Sequence, residues 1–450
     1  MELKKLKEKL RKKFPNRKHQ FRNLIDEKGR KNKEMRIIGI TGSYGKTTTA
    51  IIIHNYLKML GYKSILYSSS LVDSPASYKS KHDAFEIALD SEETLLRVIE
   101  EAEVYNADFL VLEINETTIE KGIVNDVPFA VKVLTNLNSK HNLELYTEEQ
   151  YVAIKKSFFE NTDDTCKCIF GFQNYSKQLY DELKVINNSE KYFLSSGYVA
   201  EKYGLNKMDL FAELMFLESD LDGLRMDFRL NNCEYNLNTS LVMPYNSLNI
   251  LCAIVVLQVL NLFDVNKFKN YVFELRIPGR LELIKIKNRY ILIDLNLPTT
   301  LEALKKLKDD REIFGINVVV GSIGLGFDTW DKCFKTEKYI EQHKQNKKFA
   351  MEVLVKNADK VYLTENDNAG QNVIDICLEL KEYINNRIES EIIEDRYSAI
   401  KKAILDSHEG DVIFISGRGN RRIMCTSNKK MKFIRDIDMV NKVLKEIEWK

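Results

Sequence analysis

The segment Gly39–Thr47, with the sequence GITGSYGKT, has the residue types and spacing of a phosphate-binding loop. It follows the apolar run Met35–Ile40 and precedes a helical pattern that extends to Leu60, so we expect a strand, a glycine-containing turn and a helix in that order. Backbone N–H groups in such a turn point inward, and the N-terminus of the helix adds positive potential. The segment is therefore predicted to bind the phosphates of a nucleotide.

The side chains of this loop have separate expected roles. Gly42 and Gly45 let the backbone approach the phosphates closely, because no Cβ atom intervenes. Lys46 would reach the β- and γ-phosphates of ATP, and Thr47 would hold Mg²⁺ through its hydroxyl. The strict pattern GxxxxGK[ST] requires glycine where this chain has Ile40, so an accidental glycine turn is the competing interpretation. The residues predicted to bind ATP here are Gly42, Ser43, Gly45, Lys46, Thr47 and Thr48.

Two sets of short apolar, β-rich runs alternate with helical stretches, which predicts an α/β fold with mostly parallel sheets. The first set is MRIIGI, KSILYS, DFLVLEI and FAVKVLTNL, and the second is YILIDL, INVVVGS, KVYLTE and DVIFISG. The segment RIPGR, residues 276–280, separates the two sets. We predict a basic extension over 1–34, a central P-loop ATPase-like domain over 35–273 and a C-terminal Rossmann-like α/β domain over 274–450.

Two further elements are expected between these sets. Residues 224–243 contain two β-rich runs around the turn-prone sequence NNCE, which predicts a hairpin. Residues 246–262 are apolar on all sides of a helical pattern, which predicts a buried helix.

The composition of the chain excludes several classes of protein. With 44% hydrophobic and 30% charged residues it is typical of a soluble globular protein, and a net charge of +2 over 450 residues does not indicate a nucleic-acid binder. No apolar run is long enough to cross a bilayer, and the charged N-terminus lacks a signal-peptide core. The seven scattered cysteines are expected to be reduced thiols of a cytoplasmic protein.

The basic extension over 1–34 has one apolar stripe. Leu3, Leu6, Leu10 and Phe14 recur at helical spacing. We expect this helix to dock on the body of the protein, with a partner or an acidic membrane surface as alternatives.

From residue 35 to about 425 the ordered motifs of the chain resemble those of the Mur ligase family, which builds peptide bonds on cell-wall precursors. The motifs are GITGSYGKTTT, LEINE, TNLNSKHNLEL, TEEQYVAIKKSFF, MPYNSLN, RIPGRLE, ILIDLNLP, VVVGSIG, LTENDNAG and FISGRGNRR. Within the family they are most similar to the ligases that add the third amino acid to UDP-MurNAc-dipeptide. Their shared order makes the resemblance specific, although each motif alone is weak.

The resemblance implies a magnesium site and a modified lysine. Glu113 in LEINE falls on the family's magnesium-binding glutamate, and His141 falls on its magnesium-linked histidine. Lys155 falls on the lysine that the family carbamylates, which would give Mg²⁺ an anionic oxygen ligand in place of a repelling ammonium. Taken alone, Glu113 and His141 are equally well explained as exposed residues, and Lys155 as a solvated lysine beside Lys156.

Further nucleotide contacts are implied by the later motifs. Asn246 and Asn249 lie in the matching asparagine segment, Arg280 matches an ATP-contacting arginine, and Asp294 matches a ribose ligand. Their ordinary alternatives include a surface salt bridge for Arg280 and a strand-end cap for Asp294. The catalytic residues implied are Lys46, His141, Lys155 and Arg280, and the metal-binding residues are Thr47, Glu113, His141 and Lys155.

The chain departs from the family in features that concern its substrates. Lys140 stands where the family has an acidic residue, and Leu297 stands where it has a histidine. The 1–34 extension is too short to fold as the family's uridine-binding domain. Ligases that add diaminopimelate carry DNPR, whereas this chain has DNAG at 367–370, and Arg421 replaces their glutamate. Diaminopimelate is therefore an unexpected substrate, unless Arg421 is simply an exposed side chain.

The resemblance implies an ATP-dependent, ADP-forming ligase that joins a small-molecule acid to an amine through an acyl-phosphate. ATP and Mg²⁺ are the implied cofactors, with cell-wall synthesis as the family's usual setting. A catalytically inactive nucleotide-binding subunit is one alternative, and a P-loop kinase or switch ATPase is a poorer one because it leaves the second α/β domain unexplained. Pseudomurein peptide ligases, poly-γ-glutamate synthases and a tetrapyrrole-cyclising ligase use the same scaffold on other substrates.

Overall fold

The computed structural model describes residues 35–74, 89, 91–138, 145–160, 162–172, 177–324, 337–428 and 430–447. The predicted basic extension over 1–34 lies outside these residues, as do Lys140 and His141.

The first part of the chain is built on a ten-stranded sheet with the order β10-β9-β8-β7-β6-β5-β1-β4-β2-β3. Its strands are β1 (Arg36–Thr41), β2 (Ser64–Tyr67), β3 (Val72–Asp73), β4 (Phe109–Glu113), β5 (Phe129–Leu134), β6 (Lys167–Phe172), β7 (Glu190–Ser196), β8 (Ala212–Ser219), β9 (Leu224–Leu230) and β10 (Cys233–Thr239). The pairings from β8 through β2 are parallel, and those at the two margins are antiparallel.

Helices cover both faces of this sheet, which is why its central strands are mostly apolar. The helices are α1 (Lys46–Met59), α2 (Glu92–Val104), α3 (Glu116–Glu120), α4 (Glu148–Glu160), α5 (Lys177–Lys184), α6 (Gly197–Lys202), α7 (Asn246–Val259) and α8 (Val265–Phe273), with a short 3₁₀ turn at Lys207–Asp209. On β1, Ile37 packs with α2 and α4, whereas Ile38 and Ile40 pack with α1 and α7 on the other face.

The predicted hairpin and buried helix are confirmed. Strands β9 and β10 pair antiparallel with Leu230 opposite Cys233. The two residues between them, Asn231 and Asn232, have positive φ values of 45° and 66°, as a tight hairpin turn requires. Helix α7 is buried over nearly its whole length.

The second part of the chain is built on a six-stranded sheet with the order β11-β12-β16-β13-β14-β15. Its elements are β11 (Glu282–Ile286), β12 (Arg289–Asp294), α9 (Leu297–Asp309), β13 (Ile316–Val320), α10 (Glu337–Asn357), β14 (Lys360–Leu363), α11 (Val373–Ile384), β15 (Glu389–Ile392), α12 (Arg396–Asp406), β16 (Val412–Ser416) and α13 (Asp436–Glu446), with a separate ribbon of β17 (Ile423–Cys425) and β18 (Met431–Phe433). All pairings except β11 with β12 are parallel. The α/β class with mostly parallel sheets is thus confirmed.

The predicted domain boundary at 273/274 falls between α8 and β11, and it stays a prediction. Within the described ranges, no helix has the combination of length and apolar character that a membrane crossing requires.

Candidate active site

Three motifs begin at one edge of the ten-stranded sheet. Ile40 on β1 is in register with Glu113 on β4, and Thr41 is in register with Leu134 on β5. Because β1, β4 and β5 are parallel, the segments that follow them leave the sheet at the same level. The phosphate loop, LEINE and TNL are therefore brought together by the strand order.

The phosphate loop joins β1 to α1 in a conformation that only glycine tolerates easily. Gly42 and Gly45 have φ values of 145° and 78°. A Cβ atom on Gly45 would lie 2.0 Å from Oδ1 of Asn249, and one on Gly42 would lie 2.1 Å from Oγ1 of Thr135. Glycine is therefore needed at each position for two reasons: the φ value is positive, and a neighbouring side-chain oxygen leaves no room for a Cβ atom.

Residues after β5 hold the loop from outside. The side chain of Asn136 accepts a hydrogen bond from the Tyr44 N–H at 3.0 Å and donates to its carbonyl oxygen at 2.8 Å. Thr135 donates from Oγ1 to the same carbonyl oxygen at 2.6 Å, and the Ser43 N–H donates to the Asn136 carbonyl oxygen at 3.2 Å. The loop shape is thus fixed by TNL.

The amino end of α7 supports the loop from the other side. Asn249 contacts Gly45, and its Nδ2 donates to Oδ1 of Asn246 at 3.0 Å. Asn246 in turn donates to the Val242 carbonyl oxygen at 2.8 Å. Both asparagines are buried. The structure therefore places Asn249 against the phosphate loop and Asn246 behind it.

The first turn of α1 has the N–H donors and the charge that an anion-binding site requires. The first intrahelical bond runs from the Thr49 N–H to the Gly45 carbonyl oxygen, so the N–H groups of Lys46, Thr47 and Thr48 precede the helical ladder. No acidic side chain lies in this turn. The Lys46 ammonium donates to the carbonyl oxygens of Gly42 at 2.8 Å and Ser43 at 3.3 Å, directly over the loop. These groups fit the phosphates of ATP.

Thr47 and Glu113 form the pair that could hold a divalent cation. Oγ1 of Thr47 donates to Oε2 of Glu113 at 2.8 Å, and both residues are buried. Hydroxyl and carboxylate oxygens are ligands that Mg²⁺ accepts. Within the described part of the chain, no group of three or more His, Cys, Asp or Glu side chains could hold a metal. Mg²⁺ bound here would complete its shell with phosphate oxygens and water.

Lys155 is a buried residue of this site, not a solvated one. It projects from α4 with 0% of its side chain exposed. Its Nζ donates to Oγ1 of Thr41 and to Oε2 of Glu116, both at 3.0 Å. Lys156 beside it makes a peripheral ion pair with Glu182 instead. The alternative that Lys155 is an ordinary exposed lysine is therefore wrong, because α4 turns it toward the sheet.

The charges around Lys155 perturb its protonation. Burial, followed by repulsion from the Lys46 ammonium, lowers the pKa of Lys155 to about 8, although Glu116 opposes both effects. Burial would raise the pKa of the Glu116 carboxyl, but the ammonium groups of Lys155 and Lys46 outweigh it and hold that pKa below its usual range. A substantial neutral fraction of the Lys155 amine is thus available near pH 8.

Arg280 and Asp294 lie where the second part of the chain meets the first. Arg280 donates from Nη2 to the hydroxyl of Ser70 at 3.1 Å. Asp294 ends β12 and accepts a hydrogen bond from Thr300 at 2.7 Å. Burial raises the pKa of the Asp294 carboxyl above its ordinary value, against the opposing effect of the Arg280 guanidinium. Arg280 thus has a serine hydroxyl as a hydrogen-bond partner, whereas the position of Asp294 at the end of β12 also agrees with its alternative as a strand-end cap.

The residues at which the chain departs from the family's motifs differ in their burial and in their backbone conformation. Leu297 begins α9 and is buried in the core of the second sheet, so an apolar contact stands at the family's histidine position. Ala369 is fully buried, and Gly370 has a φ of 84°, so the DNAG turn supplies backbone and no cation at that point. Arg422 is exposed and Arg421 is half-buried with a partner.

Several residues of the site were not anticipated from the sequence. Glu116 had a usable signal, since it lies three residues after Glu113 at the start of a helix that follows a strand. Thr300 was also missed, although its partner Asp294 lies only six residues before it. The others carried no local signal because their partners are distant in the chain: Thr41, Ser69, Ser70, Tyr151 and Asn420.

Comparisons with known proteins find that the chain is similar to Mur ligases. Residues 40–257 match the model of the Mur ligase middle domain. The UDP-N-acetylmuramoyl-L-alanyl-D-glutamate--2,6-diaminopimelate ligase of Clostridium perfringens is 26% identical over 418 residues, which covers 90% of this chain and 78% of the relative.

Solved structures share the fold. A UDP-N-acetylmuramoyl-L-alanyl-D-glutamate--2,6-diaminopimelate ligase aligns with a TM-score of 0.62 and 19% identity. The aligned region covers 96% of this chain and 82% of the chain of that ligase. The MurF ligase of Thermotoga maritima in complex with ADP aligns with a TM-score of 0.61 and 18% identity, covering 96% and 83%. The resemblance of the motifs to those of the Mur ligases is confirmed, because the middle-domain model of that family matches this chain and the relative above is a Mur ligase.

Proposed function

We propose that this protein is an ATP-dependent, ADP-forming ligase that forms an amide bond between a carboxylate substrate and an amino acid or other amine. One observation carries the proposal: the phosphate loop, the Thr47–Glu113 pair and the buried Lys155–Glu116 pair meet at one edge of one sheet. That arrangement supplies cationic and backbone donors for a transferring phosphoryl group, together with oxygen ligands for its metal.

The reaction consists of two displacements. An oxygen of the acid attacks the γ-phosphorus of ATP, the bond from that phosphorus to the β–γ bridging oxygen breaks, and ADP leaves. The amine nitrogen then attacks the acyl carbon, the bond from carbon to the phosphate oxygen breaks, and inorganic phosphate leaves while the nitrogen gives up a proton. Both steps depend on positioning and on stabilisation of negative charge.

The residues of the chain divide this work. Lys46 and the N–H groups of the first turn of α1 hold the β- and γ-phosphates. Thr47 and Glu113 would hold Mg²⁺, which when bound neutralises charge on the transferring group. Arg280, which lies just before β11, is assigned to the phosphates, and Asp294, which ends β12, is assigned to the ribose. His141, which lies outside the described residues, keeps its proposed metal-linked role.

Lys155 is proposed to be carbamylated in the active protein. The neutral amine attacks the carbon of CO₂, a nitrogen–carbon bond forms, and the nitrogen loses a proton to leave an anionic carbamate. The lowered pKa of Lys155 and its rigid position on α4 favour that reaction. ¹³C NMR under ¹³CO₂ tests it: a carbamate signal should grow as the pH rises through about 8 and should be missing in Lys155→Ala. The same signal in Lys155→Ala would contradict the assignment.

The amine substrate is proposed to differ from the diaminopimelate in the names of the relatives. Gly370 stands where the ligases for diaminopimelate have the arginine of DNPR, and no guanidinium is supplied from that position. Arg421 at their glutamate position would repel an ammonium group and attract a carboxylate or phosphate.

The function is tested by incubating the purified protein with ATP, Mg²⁺ and panels of acids and amines. A ligase releases ADP only when both substrates are present, and the product gains the mass of the amide. ADP release that needs the acid alone would indicate a kinase. Tight nucleotide binding without turnover under any combination would indicate an inactive nucleotide-binding subunit.

A further inference from the structure

The turn between β2 and β3, Ser68–Leu71, is a rigid element between the two parts of the chain. The Ser68 hydroxyl closes the turn by donating to the Leu71 carbonyl oxygen at 2.8 Å and accepting from the Leu71 N–H at 3.0 Å. A backbone bond from the Ser68 N–H to the same carbonyl oxygen, at 3.0 Å, closes it a second time. We call this element the serine turn.

The strand after the serine turn is clamped to α1. Asp73 on β3 accepts a hydrogen bond from Lys58 at 2.7 Å and lies 3.0 Å from Nε2 of His54. The other ring nitrogen of His54 lies 2.9 Å from the hydroxyl of Ser64, at the start of β2. Both strands that flank the turn are thus attached to the helix that begins at the phosphate loop.

Ser69 faces the metal carboxylate. Its N–H donates to Oε2 of Glu113 at 3.0 Å, and its hydroxyl lies 3.1 Å from Oε1 and 3.2 Å from Oε2. The Ser69 hydroxyl is also 3.4 Å from Oγ1 of Thr47. Oε2 already accepts from Thr47 and from the Ser69 N–H, whereas Oε1 accepts from the Ser69 hydroxyl. Oε1 therefore has a second lone pair with which Glu113 could bind a cation while it keeps these hydrogen bonds.

Ser70, the next residue, faces the second part of the chain. Its hydroxyl accepts from Arg280 at 3.1 Å, and its carbonyl oxygen accepts from Nδ2 of Asn420 at 3.0 Å. The backbone of Asn420 packs so closely on Gly279 that a Cβ atom there would lie 2.0 Å from the Asn420 nitrogen. The segments that carry Arg280 and Asn420 therefore reach the serine turn as one packed unit.

We propose that the serine turn positions Glu113 for metal binding through Ser69, and couples that carboxylate through Ser70 to the docking of the Arg280 and Asn420 segments. The inference rests on the proposed function for the identity of the metal site. Ser69, Ser70 and Asn420 are positioning residues, since they act through Glu113 and Arg280. Two neighbouring residues of one short turn contact the two sides of the reaction site, so a shift of either side is transmitted over one peptide unit.

The first test measures Mn²⁺ binding to the full chain by electron paramagnetic resonance, without nucleotide. Ser69→Ala should weaken Mn²⁺ binding about tenfold, because loss of a hydrogen bond that orients a metal carboxylate has effects of that order. Ser69→Thr keeps the hydroxyl and should retain wild-type affinity. Ser240→Ala is the matched control, since it removes a hydroxyl bound to the Leu275 carbonyl oxygen just beyond β10, at the opposite margin of the sheet.

The second test adds a non-hydrolysable ATP analogue and uses a double-mutant cycle. Asn420→Ala should weaken Mn²⁺ binding about threefold or more although it touches no metal ligand. In the Ser69→Ala background, Asn420→Ala should change the Mn²⁺ affinity very little. The hydrogen bond from the Ser69 hydroxyl to Glu113, which carries the coupling, is already missing there.

The outcomes separate the inference from the proposed function. Wild-type Mn²⁺ affinity in Ser69→Ala, tighter binding in it, or independent effects of Ser69→Ala and Asn420→Ala would each overturn the coupling while leaving the ligase assignment intact. A wild-type protein that binds no Mn²⁺ with or without the analogue would overturn the metal site, and the inference with it.

Discussion

The ammonium of Lys155 lies 3.0 Å from a carboxylate oxygen of Glu116, and the lysine side chain is wholly shielded from solvent. An ion pair buried this deeply has a desolvation cost that its attraction barely offsets, so it is weak evidence for a purely stabilising role. Its position beside Lys46 and Glu113, whose charges both act on Lys155, indicates a role in the chemistry.

Replacing Lys155 should affect activity far more than replacing its neighbour. Lys155→Ala is expected to lower the ligation rate about 100-fold, as loss of a group that supports a metal site does. Lys156→Ala loses only a partly exposed ion pair with Glu182 and should keep nearly full activity. If the missing group is a carboxylate, short-chain carboxylic acids should restore part of the rate in Lys155→Ala. Full activity of that variant in CO₂-depleted buffer would refute the carbamate.

The lowered pKa of Lys155 predicts a pH dependence of stability in CO₂-free buffer. Because this lysine has a folded pKa of about 8 and an ordinary value of 10.5, the unfolded chain binds more protons between those values. The free energy of unfolding should therefore rise with pH from about 8 to 10.5, by at most about 3 kcal/mol from this group. Lys155→Met should lack that increment in urea titrations, so parallel curves for both proteins would contradict the shift.

The phosphate loop should be essential for turnover but not for folding. Lys46→Ala is expected to lower the rate about 1,000-fold, because a donor to the transferring phosphoryl group is lost. The fold should remain intact, since the Lys46 side chain donates its hydrogen bonds to carbonyl oxygens of its own loop and not to core residues. Circular dichroism and ADP release measure the two effects, with exposed Lys63→Ala as the control for loss of a lysine. Wild-type turnover of Lys46→Ala would show that the site is elsewhere.

Gly45→Ala should abolish nucleotide binding through a steric effect. The new methyl group would lie 2.0 Å from Asn249 at a residue with a φ of 78°, so the loop must move. Gly61 is the matched control, because its φ is 89° and a Cβ atom there meets nothing within 4 Å. Gly61→Ala should cost about 1 kcal/mol of stability from backbone strain alone and leave ATP affinity unchanged. Equal ATP affinities for both variants would mean that the Asn249 contact does not shape the loop.

Ligand binding should bring the two parts of the chain closer together. The phosphate loop lies between β1 and α1, in the part of the chain that forms the ten-stranded sheet. Arg280 and Asp294 lie in the part that forms the six-stranded sheet. ATP bound between them is expected to favour a closed arrangement. Small-angle scattering with a non-hydrolysable ATP analogue and the acid should show a smaller radius of gyration, and an unchanged radius at saturation would contradict closure.

The sequence alone determined many of the helices and strands of this protein and its resemblance to the Mur ligases. Apolar runs such as MRIIGI and DVIFISG became β1 and β16, and NNCE became the turn of a hairpin, because these patterns depend on local periodicity and turn chemistry. The phosphate loop was also readable locally, since its glycines, lysine and threonine are consecutive. The ordered motifs also showed the resemblance to the Mur ligases without any knowledge of contacts.

Only the tertiary structure decided which polar residues meet. The sequence left Lys155 open between a solvated lysine and a site residue, and the packing of α4 decided it by turning Nζ toward Thr41 and Glu116. Ser70 and Asn420 are 350 residues apart in the chain, so no local pattern could pair them. Helix periodicity and strand alternation set which face a residue occupies, but its partner depends on the order of strands in the sheets and on how the two sheets pack, which are long-range properties of the fold.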